Sequence, residues 1–130
     1  MQHAILKIFS KEFTDYYNTE KYVYQKLTRK DMSSKFLKLL KFDDNRRILI
    51  IERGDVDLDT FLKMRLESKD PLLIGEIFYI FKELASQMQI LWEQHRVALC
   101  DLKLSSVILC LSEMGAGYVV KIADFGGAFV

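Results

Sequence analysis

Two acidic tripeptides, Asp101-Leu102-Lys103 and Asp124-Phe125-Gly126, bracket a pair of short apolar runs. No other feature constrains the chain as much. Val107 to Leu111 and Tyr118 to Ile122 are rich in β-branched residues and bounded by polar or glycine-bearing stretches, which is the pattern of strands. Ser112 to Gly117 between them is turn-rich. Strand, turn, strand makes an antiparallel hairpin, and a hairpin returns the chain to where it started. Both tripeptides therefore sit at one edge of the hairpin, with the carboxylates of Asp101 and Asp124 close to a common space.

Composition narrows what such a layout can serve. At 130 residues the chain is one domain's worth, enough to bury about two-thirds of its unfolded surface around a single core. Half of it is apolar and 28% charged, which suits a globular fold and excludes a disordered tail. The net charge of +1 gives no bulk field for nucleic acid or an anionic membrane, so neither is expected as a partner. Cys100 and Cys110 are too few for a disulfide framework and match no zinc spacing, which favours an intracellular setting, cytoplasmic or nuclear. No apolar run reaches the length of a membrane span, and Met1 to Phe9 is too short and polar for a signal peptide.

His3 to Phe9 is short, apolar and β-prone, a strand. A polar stretch runs to Asn18, and Tyr16, Glu20, Val23, Tyr24 and Leu27 recur at helical intervals, predicting a helix over Thr19 to Leu27. Lys35 to Phe42 and Arg47 to Glu52 flank Asp43-Asp44-Asn45 and read as a second hairpin. After Gly54, either Asp57 or Asp59 caps a short helix through Leu66. Asp70-Pro71 places a capping acid before a proline at a first helical position, and a long helix follows to about Gln94. Ile77, Phe78, Phe81, Leu84, Ala85, Met88, Leu91 and Trp92 make a broad apolar face on it that something must cover.

In this order the landmarks resemble those of the eukaryotic protein kinase family, from its third strand to its magnesium loop, over nearly all of the chain. Within that family, Ile48-Leu49-Ile50-Ile51-Glu52-Arg53-Gly54-Asp55-Val56-Asp57-Leu58 is similar to the hinge of the monopolar spindle kinases, which are dual-specificity enzymes. The resemblance implies an α+β fold: residues 1–52 as a partial N-lobe, 53–57 as hinge and 58–130 as the start of the C-lobe. It implies ATP and Mg²⁺ as cofactors and phosphoryl transfer to protein serine or threonine. Lys7 then matches the strand lysine that grips the ATP phosphates, and Glu20 its helix partner. Asp101 matches the catalytic aspartate, Lys103 its phosphate-contacting neighbour and Asp124 the magnesium ligand. Ile51 falls at the gatekeeper position, and Glu52, Arg53 and Gly54 form the adenine-contacting hinge. Leu39, Tyr24, Leu99 and Phe125 fall on the apolar column that joins the two lobes, where plain core packing predicts the same burial.

Each landmark taken alone has a plainer reading. A lysine in a strand is most often solvated, a helix glutamate most often exposed, and Asp-Phe-Gly is by itself a strand-ending turn. Their ordered spacing is what carries the resemblance. The chain also departs from the family. The glycine-rich lid and the activation segment have no counterpart in it, so the expectation is an incomplete domain. Leu99-Cys100 replaces the usual His-Arg pair, removing the arginine that couples the loop to a phosphorylated segment. Ser106 replaces the asparagine that serves nucleotide and second metal, offering one oxygen where a carboxamide is usual. The alternative function is accordingly a pseudokinase or interaction module, or a truncated fragment, without catalysis. With its covering helices missing, the helix over residues 71–94 is expected to self-associate, bind a protein partner or lower solubility.

Overall fold

The computed structural model describes residues 3–30, 35–111 and 117–130. Of the turn expected over Ser112 to Gly117, all but Gly117 lies outside the described residues. Ala4–Ile8 forms β1, Leu39–Asp43 forms β2 and Ile48–Glu52 forms β3, with the helix Thr14–Arg29 (α1) joining the first two strands. The apolar β3 lies between its neighbours and is antiparallel to both. Its Leu49 and Ile51 are buried while Ile48 and Ile50 are half-buried, the period of two that puts alternate side chains on one covered face.

That face receives α1 through Tyr17, Glu20, Val23, Tyr24 and Leu27, a stripe at helical spacing. The helix begins at Thr14, earlier than the polar residues up to Asn18 suggested, and Tyr17 rather than Tyr16 completes the buried stripe. The neighbours decide between the two tyrosines. Tyr16 lies over Gly126 and Gly127, which have no side chains to cover it, and it stays 47% exposed. Tyr17 meets the ring of Phe9 edge-on at 5.7 Å and is sealed.

The second sheet joins Val56–Asp57 (β4), Val107–Leu111 (β5) and Tyr118–Ile122 (β6) in that order, all antiparallel. Two helices intervene, Leu58–Glu67 (α2) and Ile74–His95 (α3). Asp57, not Asp59, caps α2, accepting the Thr60 N–H at 2.8 Å. The start of α3 is a correction, because Asp70-Pro71 does not open it. Arg65 takes that segment instead: its Nε donates to the Asp70 carbonyl at 2.6 Å, and its two terminal nitrogens donate to the Glu76 carboxylate at 2.9 and 3.0 Å. Glu76 in turn accepts the Leu73 N–H at 2.8 Å, satisfying a helix-start donor from within the first turn.

Ile80, Leu84, Gln87, Leu91 and His95 form the covered side of α3. The Gln87 side chain, itself buried, accepts the Ile122 N–H at 2.9 Å and donates to the Val120 carbonyl. It thereby satisfies groups on the edge of β6 away from β5, beside the isolated bridge from Phe36 to Ile122, and docks the hairpin on the helix. On the remaining side of α3, Phe78 (71% exposed), Phe81 and Trp92 stand open among the described residues, and Met88 and Ile77 are only partly covered. No described helix is long and apolar enough to cross a membrane. The four residues of the expected inter-lobe column belong to or border one apolar cluster: Tyr24 and Phe125 touch edge to face at 4.9 Å, Leu39 is buried, and Leu99 packs half-buried against that cluster.

Candidate active site

The site is assembled where β1 and α1 meet the loop that follows β6. Lys7 projects from β1 opposite Leu49, and its ammonium donates to both carboxylate oxygens of Glu20, at 2.9 and 2.8 Å. The same nitrogen lies 3.3 Å from Oδ1 of Asp124. One cation thus joins α1 to the loop after β6. Glu20 is fully buried, and burial pushes its carboxyl above the usual range; the Lys7 charge and hydrogen bond and the Phe125 N–H pull it back down. Lys7 itself remains a third exposed, so the pair opens onto solvent on its lysine side.

Asp124 is brought there by the hairpin. Val107 pairs with Ile122, and beyond that pair the Ala123 N–H donates to the Ser106 carbonyl at 2.8 Å, so the chain leaves β6 beside the start of β5. Asp124 then takes a left-handed backbone, φ 71°, which turns the chain and lets Phe125 drop into the core while the carboxylate stays almost half exposed. Asp101 lies on the neighbouring loop, paired with Lys103 at 3.3 Å. The two glycines after Phe125 make the loops' approach possible. A Cβ on Gly126 would stand 3.2 Å from the Tyr16 ring and 3.5 Å from Glu20 Oε2, and one on Gly127 would stand 3.3 Å from the Asp101 Cβ. Ala98 and Phe129 exchange backbone hydrogen bonds at 2.8 Å, tying the residues past the glycines to the segment before Asp101. Neither Gly127 nor this bridge was singled out from the sequence; a second glycine directly after Asp-Phe-Gly is the signal that was there to read.

The residues assigned to the hinge occupy a tight crossing. Ile51 is buried against the strands on either side, in register with Ile5 and Leu39. The Glu52 N–H donates to the Lys38 carbonyl at 2.8 Å and the Arg53 N–H to the His3 carbonyl at 3.1 Å, so both of these backbone donors are already engaged. The Glu52 carboxylate faces Lys121 at 3.5 Å. Gly54 is required by space: a Cβ there would sit 2.0 Å from Ile108 Cγ2, and only its absence lets β5 pass beneath the segment.

The chemistry of the donor set decides how Mg²⁺ fits. Among the described residues, no three His, Cys, Asp or Glu side chains converge as a metal cage. Mg²⁺ needs few protein ligands, however: one or two carboxylates, with phosphate oxygens and water completing the shell. Asp124 presents an accessible carboxylate of that kind. Ser106 does not present an equivalent oxygen, because its hydroxyl is buried and meets no hydrogen-bond partner among the described residues. Asp124 therefore carries the fit.

Taken together, a strand lysine paired to a helix glutamate, an Asp-Phe-Gly turn meeting that pair and an aspartate loop beside its glycines are laid out as in a partial protein kinase fold. Solved structures agree. The chain is similar to the PknI kinase domain of Mycobacterium tuberculosis in three variant forms, at TM-scores of 0.67, 0.64 and 0.66 and identities of 19%, 19% and 18%. The match takes in 97% of this chain and 50% of the first of those structures, so the chain spans about half the length of that kinase domain. At this identity the likeness establishes the fold. It lends nothing to the monopolar spindle kinase resemblance of the hinge. No family model and no curated protein matches the chain.

Proposed function

We propose that this chain carries the nucleotide-handling part of a protein-kinase-like phosphotransferase, with ATP as donor, Mg²⁺ as cofactor and a protein serine or threonine hydroxyl as acceptor. The observation that carries the reading is the three-way contact of Lys7 with Glu20 and Asp124. An ammonium held between two carboxylates is oriented, and its exposed side is free to meet the α- and β-phosphates. The Mg²⁺ ion, when bound through Asp124, supplies charge neutralisation for the phosphate oxygens. Asp101 is the base-positioned carboxylate: it accepts the acceptor hydroxyl's hydrogen bond and takes its proton as that oxygen bonds the γ-phosphorus and ADP leaves, while Lys103 beside it meets the negative charge of the transferring phosphate. Cys100 and Cys110 are both thiols in this fold, in keeping with a reducing intracellular setting.

One observation favours a second reading, a nucleotide-binding module without transfer. The Ser106 hydroxyl is sealed away where the family carries a carboxamide, so the second metal contact loses its ligand. The test separates the two. Thermal unfolding is followed with and without ATP and Mg²⁺; a ligand present at a hundredfold its Kd stabilises by about 2.7 kcal/mol. Asp124→Ala is expected to abolish the Mg²⁺-dependent part, whereas Asp101→Ala leaves it intact and removes transfer to a protein acceptor. Wild-type protein that is not stabilised by MgATP would sink both readings; stabilisation with no transfer would leave the second.

A further inference from the structure

The turn between β2 and β3 carries an unusual convergence away from the phosphate site. The Tyr17 hydroxyl donates to Oδ1 of Asp44 at 2.7 Å, and the Lys21 ammonium reaches the same oxygen at 2.7 Å. Lys21 also lies over the Tyr17 ring at 5.6 Å and the Phe42 ring at 5.0 Å. Tyr17, Glu20 and Lys21 are neighbours on one helix surface, three and four residues apart. Tyr17 is buried and packs edge-on against Phe9, and the Phe9 ring lies 5.1 Å beneath the Lys7 ammonium. Phe9 is in turn clamped to the far end of the same turn: its N–H donates to the Arg47 carbonyl at 3.0 Å and its carbonyl accepts from Arg47 Nε at 3.2 Å. The turn thus holds both partners of the ion pair, α1 through Asp44 and the end of β1 through Arg47.

We infer that Asp44 is a positioning residue, a latch that fixes the rotation and height of α1 on the sheet so that Glu20 stays against Lys7. This rests on the proposed nucleotide site, and deepens it. A helix held only by apolar packing can roll by fractions of a turn at little cost, whereas two directional bonds from successive turns to one carboxylate oxygen admit one setting. Asp44 draws its pKa down through Lys21 first and then Tyr17, so the latch holds across the neutral range.

The test compares a phosphate-bearing ligand with one that has none. MgATP and adenosine affinities are measured by calorimetry on wild-type protein, Asp44→Ala and Asp44→Asn, the last keeping a side-chain acceptor oxygen. The latch predicts that Asp44→Ala weakens MgATP about fivefold, leaves adenosine within about twofold, and that Asp44→Asn recovers most of the loss. Unchanged MgATP affinity, or an equal loss for both ligands, overturns it, because a residue that only supports the fold has no reason to distinguish them. If wild-type protein binds neither ligand, the proposed function fails and the latch is judged without it. In that case a thermal double-mutant cycle between Asp44→Ala and Glu20→Gln reads the coupling: non-additive changes uphold the latch and additive ones overturn it.

Discussion

The cleft around Lys7 and the outer side of α3 are built on opposite terms. In the cleft, charged groups answer one another within the described residues: Lys7 has two carboxylates, Asp101 has Lys103, and the glycines let the loops close. On α3, one side is satisfied down to the Gln87 amide on the edge of β6, while Phe78, Phe81 and Trp92 stand open. Polar chemistry must be completed at short range because an unpaired buried charge is costly. An apolar face has no such requirement and waits for whatever covers it. The difference teaches that the site is internally complete in its charges while the surface that supports it is not.

The largest expected effect tests the covered side of α3. Leu91 is fully buried, and Leu91→Ala should lower stability by about 2–5 kcal/mol in urea unfolding, the range for a core cavity. A loss below about 1 kcal/mol would mean that both sides of α3 are equally loose. His95 sharpens the same point through pH. It is buried at the end of α3, and burial, then the charges of Lys30 and Lys26, hold its pKa below the ordinary 6.5. The unfolded chain therefore binds the extra proton first: the stability is fully present above about pH 6.5 and falls as the pH drops toward the folded value. The slope is at most about 1.4 kcal/mol per pH unit, and His95→Gln should flatten it.

In the cleft the expected stability change is smaller and reversed in sense. Burial raises the Glu20 pKa, so its contribution is greatest below the ordinary 4.5 and is lost as pH rises through the folded value. Glu20→Gln should accordingly change stability at pH 7 by no more than about 1 kcal/mol, since Lys7 keeps solvent, while MgATP stabilisation falls. A large loss of stability together with intact nucleotide stabilisation would show the pair to be structural. The smallest effect belongs to the open side of α3, where Phe78→Ser should alter stability by under about 0.5 kcal/mol. The same substitution should reduce concentration-dependent sedimentation at low micromolar protein, and a greater association than wild type would contradict an attractive face.

Much of this was legible because the strongest signals are local. β3 and β5 run apolar over nearly their whole lengths, and the kinase-like landmarks keep their order. Helix starts were read less well. The polar residues from Thr14 to Asn18 hid the first turn of α1, and Pro71 attracted a helix start that Arg65 and Glu76 shift to Ile74. Lys7, Glu20 and Asp124, which the structure brings together, were named in advance through the resemblance to the kinase landmarks, because the order of those landmarks survives in the sequence. Asp44 was not, because an aspartate in a turn reads as a turn former, and its bonds to Tyr17 and Lys21 join residues far apart in the chain. The burial of the Ser106 hydroxyl was equally invisible, since it depends on how β5 enters its sheet.

The left-handed backbone at Asp124 has a consequence for how this position can change over time. Two filters act on it at once, one for a carboxylate and one for a residue that tolerates φ 71°. Asparagine and glycine pass the second filter and fail the first. A lineage could therefore lose the proposed Mg²⁺ ligand by a single exchange while the turn, the buried Phe125 and the packing around them stay as they are. The record of such a loss would be one changed letter in an otherwise undisturbed shape.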